Sequence, residues 1–148
     1  MAEGLINTMG RGRFQAYSAG SHPTGKVNPF ALEKLRSIDY PVDEVRSKSW
    51  DEFAGPDAPK MDFIITVCDN AAGEVCPVWP GQPVSAHWGF EDPAAVTGSD
   101  DDKRRAFERI FRQIMNRVRL FVNLPLETLS RQAIQRELSN IGKTHPGE

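Results

Sequence analysis

Residues 61–67, Met61-Asp62-Phe63-Ile64-Ile65-Thr66-Val67, decide the fold. From Phe63 onward the run is apolar apart from Thr66, and breaker-rich sequence (Gly55-Pro56-Asp57-Ala58-Pro59) precedes it, so it reads as a strand. Its apolar character is nearly continuous rather than alternating. That pattern predicts burial on both faces, as in a parallel sheet covered by helices. The run stops at Cys68, a Gly- and Pro-containing loop carries Cys76, and a weaker strand is predicted over Val84 to Trp88.

Helical periodicity surrounds these strands. Phe107, Ile110, Phe111, Ile114, Met115, Val118 and Phe121 form a broad apolar stripe. Asp100 to Asp102 lie at that helix's start and Arg117 and Arg119 near its end, the charge order that a helix dipole favours. A last helix is predicted over Leu126 to Ile141, with Gly142 as its C-cap. Towards the N-terminus, Ala2, Leu5, Ile6 and Met9 share one helical face that Gly10 closes, and Phe14 to Ala19 reads as a short strand before a turn-rich loop from Gly20 to Gly25. Asn28-Pro29 supplies an N-cap and a first-turn proline for a helix bearing Ala31, Leu32, Leu35 and Ile38, ending near Asp39. A short helical turn is expected from Ser49. Alternating strands and helices predict a three-layer α/β domain with a parallel sheet, one domain over residues 1–142 with a tail at 143–148. In such folds ligands bind outside the carboxyl ends of the strands. Cys68 sits at such an end.

Composition narrows the function. The 148 residues suffice for one core, and eighteen Lys+Arg against twenty Asp+Glu give a net charge of −2, which argues against nucleic acid as a partner. No window approaches the roughly 18 apolar residues of a membrane span, and no signal peptide opens the chain, so a cytoplasmic protein is expected. In that compartment the two cysteines are catalytic, redox-active, metal-binding or simply buried rather than a permanent bridge.

Cys68 and Cys76 share one flexible segment and can exchange between dithiol and disulfide if that segment bends; equally, Cys68 can be a small buried hydrophobe with Cys76 incidental. Zinc held by Cys68, Cys76 and His87 lacks the usual two-to-four-residue spacing and a fourth ligand. His22 and His145 read as solvated. Asp92, before Pro93 and after Trp88-Gly89-Phe90, is a candidate general acid, since a carboxyl walled by aromatics can have its pKa raised; Asp-Pro is also an ordinary turn signal. The Asp100 to Asp102 cluster reads as a solvated helix start. The chain contains no Walker phosphate loop, dinucleotide fingerprint or nucleophile elbow, and no cofactor or metal is expected.

Taken together, MAEGLIN (1–7), AYSAGSHPTGKVNPFA (16–31), VRSKSWDEF (45–53), ITVCDNAAGEVCPVWPG (65–81) and HWGFEDPAA (87–95) resemble the thioredoxin-coupled arsenate reductases built on the low-molecular-weight protein tyrosine phosphatase fold. The resemblance runs from Met1 to about Phe121. It implies that a cysteine in a Cys-x5-Arg loop attacks arsenate and that Cys68 then attacks the adduct, releasing arsenite. Cys76 next attacks Cys68, leaving a Cys68–Cys76 disulfide for thioredoxin to reduce, and Asp92 serves as general acid. No Cys-x5-Arg occurs in these 148 residues. The expectation is therefore a chain whose start was assigned at an internal methionine, lacking the family's first strand and nucleophile loop and inactive alone. An inactive redox-responsive remnant or binding module is the alternative, and a tyrosine phosphatase relative a further one. Some relatives hold potassium with ligands matching Glu3, Ser18, Arg46 and Lys48. Arg46 and Lys48 are cationic, so the Lys48 ammonium is expected to stand for the ion, close to Glu3.

Overall fold

The computed structural model describes residues 1–20, 25–43, 45–53, 55–67 and 83–143. Its spine is the long helix α3, Asp100–Val122, against which α1 (Ala2–Met9), α2 (Pro29–Ser37) and α4 (Arg131–Gly142) all pack. Ser99 starts α3 with a capping box: its Oγ accepts from the Asp102 N–H at 3.1 Å, and its own N–H donates to Asp102 Oδ2 at 3.1 Å. Two otherwise orphaned amides are satisfied by one residue pair. The Asn28 carbonyl oxygen of the side chain does the same for α2, accepting from Phe30 N–H.

Among the described residues the sheet has two parallel strands, β1 (Phe63–Thr66) and β2 (Val84–His87), in the register Phe63 to Val84 through Thr66 to His87. Both strands are shorter than their sequence patterns, and β1 is half-buried along its length rather than fully enclosed. A parallel bridge also joins Gly20 to Ser49. The predicted strand over Phe14 to Ala19 does not form. The Asn7 side chain takes the place of a neighbouring strand there, its Oδ1 accepting from Ala16 N–H at 2.7 Å and its Nδ2 donating to Ala16 C=O at 3.2 Å and to the Tyr40 hydroxyl. At Ala16 a side-chain amide satisfies the backbone as a ladder would.

The core gathers on α3. Phe121 is its hub, with ring centroids 5.0 Å from Phe14, 5.3 Å from Phe63 and 5.9 Å from Trp88, the last two edge-to-face. Leu5, Ile110, Val118 and Leu138 complete its most buried part. Helix α1 approaches α2 closely because Gly4 has no side chain; a Cβ there would lie 2.3 Å from Leu35 Cδ2.

Further boundaries differ from expectation. The last helix begins at Arg131, where Ser130 Oγ accepts from Ala133 N–H, rather than at Leu126. A local cap overrides the apolar periodicity upstream of it. Gly142 ends the helix from within and Lys143 is its C-cap. The turn from Ser49 forms as a short 3-10 helix, Trp50–Phe53. Arg117, read as a dipole partner, lies buried in the core.

Candidate active site

The carboxyl ends of β1 and β2 meet the segment that carries Asp92. Trp88 N–H donates to Thr66 C=O at 2.7 Å and Phe90 N–H to Val67 C=O at 3.1 Å, so the chain leaving β2 stays bonded to the end of β1. Val67 is 38% exposed, and the residue after it is Cys68. The strand ends also share a side-chain bond, Thr66 Oγ1 to His87 Nδ1 at 2.7 Å.

This segment is anchored from behind as well. Trp88, 2% exposed, donates its indole N–H to Leu138 C=O at 3.0 Å. Gly142 at the end of α4 lets that helix close on the same point, because a Cβ there would sit 2.5 Å from the His87 carbonyl oxygen and 2.9 Å from Trp88 Cδ1. From α3, Arg117 Nη1 donates to Gly89 C=O at 3.0 Å and its guanidinium lies over the Phe90 ring, 4.5 Å from the centroid. Arg109 reaches the adjoining Glu91 at 3.2 Å.

Asp92 itself is exposed rather than walled in by aromatics. Its Oδ1 accepts from Ala94 N–H at 2.9 Å, making it the N-cap of a short 3-10 helix, Pro93–Ala95. The turn reading and the candidate-acid reading thus coexist: the cap orients the carboxyl, and exposure leaves it accessible. Cys68, Cys76, His22 and His145 lie outside the described residues. Among the described residues no group of three His, Cys, Asp or Glu could hold a metal.

A second constellation forms where the sequence placed it. Ser18 Oγ donates to Glu3 Oε1 at 3.1 Å, and Lys48 Nζ lies 3.9 Å from the same oxygen and donates to Arg46 C=O at 3.2 Å. The Lys48 and Glu3 side chains are only 8% and 15% exposed. The Arg46 guanidinium points elsewhere, to both Glu52 oxygens at 2.8 and 2.5 Å. That hydrogen-bonded contact raises the Arg46 pKa and lowers that of Glu52. With an ammonium already among these oxygens, a resident potassium ion does not fit.

Arg117 was the functional candidate that helix-end charge counting misplaced. The signal was present: position 117 lies seven residues after Ile110 and four before Phe121, within the apolar stripe.

Comparison with known proteins agrees with this architecture. The family profile described as low molecular weight phosphotyrosine protein phosphatase matches residues 1–139, extending the resemblance through most of α4. The arsenate reductase of Halalkalibacterium halodurans is 35% identical over 121 residues, covering 82% of this chain and 84% of the relative. That of Bacillus subtilis strain 168 is 31% identical over 121 residues with the same coverage. That of Staphylococcus aureus strain N315 is 32% identical over 106 residues, covering 71% and 76%. The chain belongs to the low molecular weight phosphotyrosine protein phosphatase family, alongside its arsenate reductases.

Proposed function

We propose that this chain performs the thiol-relay part of arsenate reduction. The observation that carries the reading is the Cys68…Cys76 segment followed by Trp88 to Pro93, in a chain at least 30% identical to arsenate reductases over most of its length. The described geometry supports it: Val67, which precedes Cys68, and the segment carrying Asp92 are bonded together at the carboxyl ends of parallel strands.

In this reading Cys68, as thiolate, attacks the sulfur of a cysteine-bound arsenate adduct, and arsenic leaves as arsenite with the electron pair of the broken sulfur–arsenic bond. Cys76 then attacks Cys68 and displaces the first cysteine. The resulting Cys68–Cys76 disulfide carries the oxidising equivalent, and a thioredoxin dithiol returns the two electrons. Asp92 acts before the relay: when the first cysteine's sulfur–arsenic bond replaces an arsenic–oxygen bond of arsenate, Asp92 protonates the departing oxygen, which leaves as water. The relay operates in a reducing compartment, consistent with a cytoplasmic location.

No Cys-x5-Arg lies within these 148 residues, which also favours a second reading, a redox-responsive module that forms the disulfide without processing an oxyanion. A phosphatase role needs the same motif and gives the two cysteines no work. The chain alone is expected to release no arsenite from arsenate, and its two thiols to fall to none on mild oxidation and return with thioredoxin and its reductase. Persistence of both free thiols under oxidation refutes the relay, and arsenite release by the chain alone refutes the assigned division of labour.

The Lys48 ammonium serves in the place of a potassium ion, linking Glu3 on α1 to the Arg46 backbone.

A further inference from the structure

Arg117 puts a guanidinium on the apolar face of α3, 3% exposed, between Ile114 and Phe121. Taking a cation out of water is costly unless hydrogen bonds and a π face replace part of its hydration, and methionine or leucine would fill similar space without that cost. Burial pulls the Arg117 pKa below the ordinary arginine value.

What the guanidinium does is specific. It donates to Gly89 C=O at 3.0 Å and lies over the Phe90 ring, 4.5 Å from the centroid, while Phe90 N–H donates to Val67 C=O at 3.1 Å. Gly89 and Phe90 are thus both held by α3, and Phe90 is bonded to the end of β1 as well. Val67 leads in sequence to Cys68, and Asp92 follows Phe90 by two residues. The exposed arginines Arg104, Arg105, Arg109 and Arg112 each meet a carboxylate on the surface, whereas Arg117 is buried and its guanidinium reaches this segment.

We propose that Arg117 is a positioning residue that holds Trp88 to Asp92 against the carboxyl end of β1, keeping the acid in register with the strand from which Cys68 follows. The functional half of this inference rests on the relay reading above; the mechanical half does not.

The experiment uses the full chain with Arg117→Met, which keeps the packing, and Arg117→Lys, which keeps the charge and one donor. Amide exchange of Phe90 is compared with that of Ile114 and Val118, alongside thermal melting and the rate at which thioredoxin reduces the oxidised chain. In Arg117→Met, Phe90 exchange should rise about tenfold, the worth of a hydrogen bond to a charged group, with Ile114, Val118 and the melting point unchanged or better. Reduction should slow several-fold, roughly in step, and Arg117→Lys should recover most of both. Unchanged Phe90 protection in Arg117→Met overturns the inference. So does uniform loss of protection along α3 that lysine fails to repair, which would mark a merely structural residue. Loss of Phe90 protection with reduction at the wild-type rate overturns the positioning role in the relay. If the wild-type chain forms no Cys68–Cys76 disulfide yet Arg117→Met loosens Phe90, the relay reading fails and the mechanical hold stands.

Discussion

Replacing Lys48 by alanine tests whether its ammonium does the work of a metal ion. In the wild-type chain Nζ lies 3.9 Å from Glu3 Oε1, with both side chains largely out of water. At that separation and an effective dielectric constant of about 20, the attraction is about 4 kcal/mol before desolvation is subtracted. Removing one member of a buried pair leaves the other charge uncompensated and costs about 3–5 kcal/mol. The residual exposure and the long contact place Lys48→Ala near the lower end, at about 3 kcal/mol. For a chain of this size that corresponds to a fall in melting temperature of about 6–12 °C. Alanine also leaves space bounded by oxygens: the Glu3 carboxylate, Ser18 Oγ and the Arg46 carbonyl. Potassium should therefore raise the melting temperature of Lys48→Ala in a concentration-dependent way, as any ligand of the folded state does, while leaving the wild type unmoved. Adding Glu3→Gln to Lys48→Ala should cost less than Glu3→Gln alone by about 2 kcal/mol, and should abolish the potassium effect. Scanning calorimetry in matched sodium and potassium chloride reads all four proteins. A wild-type chain stabilised by potassium refutes the reasoning, as does a Lys48→Ala chain indifferent to the cation.

Phe121→Ala, which empties the ring that touches Phe14, Phe63 and Trp88, should cost about 3–5 kcal/mol in urea unfolding, with Phe121→Leu losing much less. Gly142→Ala should gain up to about 1 kcal/mol of helix propensity but lose about 1–3 kcal/mol to overpacking, because the Cβ would meet a carbonyl oxygen and an indole that cannot withdraw; a net loss with altered tryptophan emission is expected. Hydrogen bonding to the Ser99 backbone and then its side chain holds the Asp102 pKa below the ordinary carboxylate value. The linked stability is fully present above the unfolded-state pKa near 4, and is lost as pH falls through the lowered folded value, a loss that Ser99→Ala should diminish in acid titrations followed by circular dichroism.

Helix α3 was legible because two signals agree, an apolar stripe and acids in its first turn; the Ser99 capping box is what the structure adds. Helix α2 was legible through Asn28 and Pro29. Phe14 to Ala19 misled because strand propensity is local while a ladder needs a partner, and the partner that Ala16 finds is the Asn7 side chain. The start of α4 misled because apolar spacing from Leu126 fits a helix that Ser130 caps only later.

The site was legible in a different way, and Asp92 and Arg117 show why. Sequence pointed to Asp92 through its aromatic neighbours, on the supposition that they would enclose it. Those aromatics turn inward instead: Trp88 to the α4 carbonyl of Leu138, Phe90 onto Arg117. Their contribution to Asp92 is therefore mechanical, fixing the backbone that carries an exposed carboxyl. A pattern of residue types can say that a carboxyl has aromatic neighbours, but which way their rings face depends on the helix that packs behind them. Here that helix supplies a buried cation from a position that charge counting read as a partner of the helix dipole. The same contact that upset the reading of Arg117 thus explains how Asp92, without being buried, can be held in one place at the end of β1.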